Sequence, residues 1–354
     1  MDQNKSFYII LVFMFLISNQ NFGNIASPEP KLNKSLFAIN PPIITATGNQ
    51  IYCPGSSLKI VTDVTITDPD DTSTDAIYIQ ISSGYLIGQD NLELINRGSH
   101  PTLIREWDPV AGKLKLSSPT NGVAVSYIDF IAAIKDIVYT NSSTNPSGIR
   151  NFSITVGQAN YLPSTGHYYQ YVPSLGITWT NAKVAAESLN YYGLQGYLAT
   201  ILSLDEAKLS GEQAAGAGWI GGSDAETESV WKWVTGPEGL ANGGAGTIFW
   251  YGLVNGSTPN FAYWNNNEPN QFLNRQENYA HIAAPGTPNS IAGSWNDLTN
   301  TGDASGNYQP KGYIVEYGGM PGDPTLQISA STTIAIPKIE STTSGSICGT
   351  GRVT

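Results

Sequence analysis

At 354 residues the chain is long enough for two domains with their own cores, since domains usually run to about 100–200 residues. Charged residues make up 13% and the formal net charge is -11 without any Lys/Arg cluster, so a phosphate backbone is repelled and nucleic acid is excluded as a partner. Glycine (37), proline (21) and tyrosine (19), with abundant Thr, Ser and Asn, favour short strands and many turns over a helical bundle.

Lys5, the apolar run Phe7 to Ile17 and a small polar stretch ending near Ala26-Ser27 predict a secretory signal over residues 1–26. The run is eleven residues long. A spanning helix needs about 20, and no later segment is long or apolar enough, so no membrane span is expected. Export follows, to the medium or the cell surface. Residues 27–42 are Pro/Asn/Lys-rich and read as a linker. Only Cys53 and Cys348 occur, far apart and read as belonging to different modules, so no disulfide framework is read from them. Compactness is expected from packing and metal.

Strand-like runs follow at Leu58 to Thr67, Ala76 to Ile81, Leu92 to Ile95, Lys113 to Leu116 and Phe152 to Val156, separated by turn signals such as Asp68-Pro69-Asp70-Asp71. This spacing predicts an all-β sandwich over residues 43–160. Within Val125 to Tyr139, the three- and four-residue spacing of Tyr127, Phe130, Ile131, Ile134 and Val138 predicts a short helix running into a strand. The module loosely resembles the cadherin-like modules of bacterial surface proteins. Asp68, Asp70 and Asp71 offer either a calcium site or a turn held by local side-chain to backbone bonds.

Helix signals first appear beyond Leu162. Thr178 caps a predicted helix from Trp179 to Tyr191, and Ser203-Leu204-Asp205-Glu206 forms a capping box for a second. Strands are predicted at Gly196 to Ile201, Gly218 to Gly222, Val230 to Trp233, Asn278 to Ala283 and Gly312 to Tyr317. Between Asn265 and Asp297, Glu268-Pro269-Asn270, Glu277-Asn278 and Trp295-Asn296-Asp297 gather hard oxygen donors without Cys or His. Calcium takes roughly six to eight oxygen ligands, and Glu268, Asn270, Glu277, Asn296 and Asp297 offer that mixture; the absence of sulfur and imidazole argues against zinc or copper. Taken alone, the same residues are more readily a polar turn and a strand end than a metal site.

In their order, these elements of residues 163–318 resemble a C-type lectin-like domain, so the expected fold class is α+β: that domain preceded by an all-β sandwich. The resemblance implies that Glu268, Asn270, Glu277, Asn296 and Asp297 hold Ca2+, that the Glu268-Pro269 bond is cis, and that Glu268, Asn270, Glu277 and Asn296 also hydrogen-bond a sugar. Glu-Pro-Asn implies mannose-type glycans with vicinal equatorial hydroxyls. Glu277 follows Glu268 by nine residues, one more than the common lectin spacing, which implies a bulged loop. A second calcium position is implied at Asp224, Glu228 and Asn278, with reduced charge because Gln271 and Asn278 stand where acidic residues are frequent. Animal members carry disulfides that this region lacks, a loss of about 2–4 kcal/mol each. The aromatic core of Trp179, Trp219, Trp231, Trp233 and Trp250 or bound calcium must make this up, while Trp264 is the expected sugar contact.

The resulting expectation is a non-enzymatic adhesin that binds glycans or glycoproteins through calcium, within a larger surface assembly. The alternative is a calcium-stabilised protein-protein adhesion module without sugar affinity. No nucleophile-base motif occurs, nothing poises Glu226 or Glu228 as a glycosidase acid, and His100, His167 and His281 read as structural, among aromatic or apolar neighbours. Residues 319–354 read as a linker, with an extended Leu326 to Ile336, and the start of a truncated Ig-like repeat.

Overall fold

The computed structural model describes residues 40–338. The signal segment 1–26, most of the linker 27–42 and residues 339–354 lie outside the described residues. Cys53 is disulfide-bonded, which corrects the expectation that cysteine plays no part in holding the chain; Cys348, the other cysteine of the sequence, is outside the described residues.

The first module is a β-sandwich. Its larger sheet has the order Gln50–Ile51, Ser329–Ile336, Gly148–Thr155, Ala76–Ser83, Lys113–Ser117, Ile104–Asp108. The smaller sheet is Leu58–Lys59, Ile137–Asn141, Asp90–Leu94, and a ribbon of Ile43–Thr47 with Asp63–Thr67 lies beside them. Alternating Ile77, Ile79 and Ile81, with Leu114, Leu116 and Phe152 on the neighbouring strands of the same sheet, bury against Leu92, Leu94 and Tyr139 of the smaller sheet, as period-two side chains of facing sheets do. Ser126 caps the helix Tyr127–Ile134 by accepting from the Asp129 N–H, and the strand Ile137–Asn141 follows, as the spacing predicted. The Leu58 to Thr67 run is two strands instead of one, and Ile104–Asp108 was not foreseen because its outward residues blur the alternation. In the Asp-Pro-Asp-Asp turn, the Asp68 carboxylate accepts from Asp70 N, Asp71 N and the Tyr127 hydroxyl, which is the local bonding a turn requires.

The tail differs most from expectation. Ser329–Ile336 is no linker to a further repeat: it pairs antiparallel with Gly148–Thr155 from Thr155↔Ser329 to Gly148↔Ile336, and parallel with Gln50–Ile51. Thr332, Ile334 and Ile336 face inward on alternate positions, so the strand is needed to close the sandwich core. Residues 156–328 are therefore inserted between two neighbouring strands of one sheet. Ile334→Val, at a position 0% exposed, is expected to cost about 1 kcal/mol in urea unfolding, whereas Ile149→Val, 57% exposed, should cost almost nothing. Equal effects would remove the tail from the core.

The inserted part is α+β. Its sheet runs Asn160–Leu162, His167–Pro173, Gly312–Tyr317, Gly218–Ser223, Val230–Trp233, Thr247–Tyr251, with Leu194–Leu198 on Gly312–Tyr317 and the pair Tyr279–Ile282, Trp295–Leu298 on Gly218–Ser223. Helix Trp179–Glu187 is capped by Thr178 and buries Trp179, Ala182 and Ala186. The predicted second helix is only Leu204–Ala207 followed by a wide turn, Lys208–Glu212. Ser203 caps it as expected, but Glu206 returns its bonds to Leu202 N and the Ser203 hydroxyl. This segment also meets the sandwich: Gln213 Nε2 donates to the Ile81 and Ala111 carbonyls, and Ser83 donates to Asp205.

Candidate functional site

Strand Trp295–Leu298 fixes one half of the site. It pairs with Tyr279–Ile282 in the register Ala280↔Asp297, His281↔Asn296, which leaves Asn296 1% and Asp297 2% exposed. The other half is the segment after Trp264, laid along this strand by the bonds Asn265 N to Trp295 O (2.8 Å) and Trp295 N to Tyr263 O (2.9 Å). The Glu268-Pro269 bond is cis. Beyond it the backbone folds over the carboxylates: Asn270 N lies 3.0 Å from both Asp297 oxygens, Gln271 N donates to Asp297 Oδ2 at 2.9 Å, and Phe272 N donates to Glu277 Oε2 at 2.7 Å. The extra residue of the spacing is absorbed here, in a turn with left-handed Gln271 and Leu273.

The two loops thus meet, and they leave oxygens unspent. Glu268 Oε2 and Asn270 Oδ1 are buried without a hydrogen-bond partner. Such atoms are costly and call for a donor or a cation. The carboxyls also crowd one another. Burial, with the neighbouring Asp297 and Glu277 charges, pushes Glu268 up to about 9. Glu277 is pushed up to about 7 by burial, against the Phe272 N–H that stabilises its charge and with the Asp297 charge adding to the rise. Asn296 Oδ1 accepts from Asn265 Nδ2 at 3.3 Å, a supporting residue that the motifs did not single out.

Asp224, Glu228 and Asn278 stand beside this group. Asp224 N bonds the Asn278 carbonyl, Asp224 Oδ2 accepts from Ser229 N, and Glu228, which is exposed, accepts from Gln271 Nε2 at 2.6 Å. Here too Asp224 Oδ1 and Asn278 Oδ1 are buried and unpartnered. Burial pushes Asp224 up to about 7, with Glu228 and Asp297 adding to it. Among the described residues no group of three or more His, Cys, Asp or Glu side chains stands in ready metal-holding geometry. The physical reason is visible: both Asp297 oxygens and Glu277 Oε2 are turned onto loop N–H groups, and the remaining donors include amides. Asp297 Oδ2 is taken up by two N–H groups, but Asp297 Oδ1 and Glu277 Oε2 each accept one and keep a lone pair, and with the unpartnered Glu268 and Asn270 oxygens this donor set fits a hard cation such as calcium.

Trp264, the expected sugar contact, is half-buried: its ring packs edge-on against Trp231 (4.8 Å between centroids) and Trp295 (5.7 Å) and its Nε1 is buried, so it joins the edge of the aromatic core under the loop. Near the oxygens, Arg275 pairs with Asp303 at 3.2 Å, tying the ligand loop to the segment after Asp297. Two of the histidines are acid-paired instead of set among apolar groups: His100 to Asp136 at 3.0 Å and His167 to Glu316 at 2.7 Å. His281 is buried, and burial drives it down to about 4.

No family model matches the chain. Its sequence is 33% identical over 359 residues to Halomucin of Haloquadratum walsbyi (strain DSM 16790 / HBSQ001), a match that takes in 97% of this chain and 4% of that protein. The chain thus spans a small fraction of its relative's length. Among solved structures, it is similar to the carbohydrate-recognition domain of a mouse scavenger receptor C-type lectin (TM-score 0.26, 18% identity, 44% of this chain and 92% of that one). It is similar also to a calcium-independent type II antifreeze protein (TM-score 0.29, 20% identity, 46% and 94%). Among the described residues no helix is long and apolar enough to cross a membrane.

Proposed function

We propose that residues 163–318 form a C-type lectin-like module that binds mannose-type glycans through calcium, carried on a cadherin-like sandwich in an exported, non-enzymatic surface protein. The observation that carries the reading is the pair of buried, unpartnered oxygens on Glu268 and Asn270, in a loop whose backbone N–H groups bond Asp297 of a separate strand and Glu277 at the loop's own end, with Asn296 next to Asp297 in that strand. Those five residues would hold the ion, which when bound supplies open coordination positions for two neighbouring hydroxyls. The residues do the rest: carboxylates only accept and the amide NH2 groups donate, so each sugar hydroxyl can have both its proton and a lone pair satisfied. Asp224, Glu228 and Asn278 would hold a second calcium by the same donor chemistry.

A second reading, a calcium-stabilised protein-adhesion module, is favoured by Phe272 and Leu273, 58% and 69% exposed at the tip of the same loop. A mannose-agarose column run in calcium and in EGTA separates the two. Retention lost in EGTA is expected. Retention indifferent to the chelator defeats the first reading, and a calcium-dependent melting temperature with no retention establishes the second.

A further inference from the structure

The sandwich carries a concavity of its own, about 400 Å3, between the loop before Asp90–Leu94, the end of strand Ile104–Asp108 and the end of Ile137–Asn141. We propose that it is a second ligand site, for a neutral saccharide, that works without metal. The volume lies in the range of small-ligand sites, roughly 300–1,000 Å3.

Its walls are held in place before any ligand arrives. The Asp90 carboxylate accepts from Leu86 N (2.8 Å), the Tyr139 hydroxyl (2.6 Å), Asn141 Nδ2 (2.5 Å) and Arg150 Nε (2.7 Å). On the opposite wall the Tyr85 hydroxyl donates to the Pro109 carbonyl, and Tyr85 meets Trp107 edge-on at 6.4 Å. Ser142 closes the third side, its N–H and hydroxyl donating to the Gln89 and Gly88 carbonyls. Rigid walls lower the ordering cost of binding.

The chemistry offered is specific. Half-buried Trp107 provides an apolar face, against which the C–H face of a pyranose packs. Around it the side chains of Gln89, Asn91 and Thr140 have no hydrogen-bond partner among the described residues, and amides and hydroxyls both donate and accept as sugar hydroxyls do. No Lys or Arg lines the concavity, and its one acid, Asp90, is paired with Arg150, so no charge is left for an ionic ligand.

The test is saturation-transfer NMR on the whole protein in excess EGTA, with mannobiose, cellobiose and chitobiose as separate probes. Transfer to at least one of them is expected in the native protein and in Glu268→Ala. Trp107→Ala and, should that variant melt early, the milder Asn91→Ala or Thr140→Ala should weaken it, the tryptophan by about tenfold. Absence of transfer to all three probes in the native protein overturns the proposal. Transfer that survives Trp107→Ala and both milder variants, or that disappears with Glu268→Ala, overturns it equally.

Discussion

Glu268→Gln is expected to shift stability in opposite directions with and without calcium. In saturating calcium the variant should melt lower, because a carboxylate ligand is gone; an ion at a hundred times its dissociation constant stabilises the folded state by about 2.7 kcal/mol, most of which the variant forfeits. In EGTA at pH 8 it should melt higher than the native chain. The sign follows from the site: burial together with Asp297 and Glu277 pushes Glu268 up to about 9 from an ordinary 4.5. A carboxyl raised in the fold contributes stability fully below about 4.5, and that contribution is lost as pH rises through 9. Glutamine is neutral at every pH and keeps it, a gain on the order of 2 kcal/mol at pH 8. Calorimetry of both proteins in both buffers measures the crossing. Shifts of the same sign in calcium and EGTA would mean that Glu268 takes no part in holding a cation.

The acids and amides of this site were legible because each lies in a short motif: Glu268 and Asn270 flank one proline, and Asn296 and Asp297 follow Trp295, although adjacent residues of a strand leave on opposite faces, so adjacency alone does not bring those two side chains together. What carries the motif was less legible. Trp264 reads as a ligand contact from its position next to the loop, and nothing local announces that Trp231 and Trp295 pack against its ring. The strand Ser329–Ile336 shows the same limit: its alternation was visible, but its partner, Gly148–Thr155, lies across the whole inserted part of the chain. Pairing over such a distance leaves no trace in local periodicity. The Glu206 box was read correctly as a cap and incompletely as chemistry, since nothing in Ser203-Leu204-Asp205-Glu206 announces the second carboxylate it meets.

That meeting makes the second large effect. Glu206→Gln should flatten the pH dependence of stability between pH 5 and 8 and leave the variant more stable than the native chain at pH 8, by on the order of 3 kcal/mol. The reason is a count of protons. The Tyr169 hydroxyl has one, yet it faces Glu206 Oε1 at 3.0 Å and Glu316 Oε1 at 3.1 Å. Glu316 already accepts from His167 Nδ1 at 2.7 Å and Thr200 N at 2.9 Å, and the Thr200 hydroxyl bonds Glu238 at 2.7 Å. A second proton is therefore best placed on Glu206, which is 2% exposed. Burial, with the Glu316 charge adding to it, pushes Glu206 up to about 7 from 4.5. Its contribution is complete below about 4.5 and is lost as pH rises through 7. The amide of glutamine donates where the protonated acid did and still accepts from Leu202 N, so the packing is kept while the titration is removed. Burial works to lower His167, but the Glu316 bond and charge, with the Glu238 and Glu206 charges adding to them, override it and raise it, so its share runs in the same direction and is somewhat reduced in the variant. The difference between the two curves thus reports Glu206 together with its coupling to His167. Urea unfolding at several pH values in excess calcium, which keeps the acids of the cation site engaged, measures it; curves that run parallel would show that Glu206 is ionised throughout and that Tyr169 serves Glu206 alone.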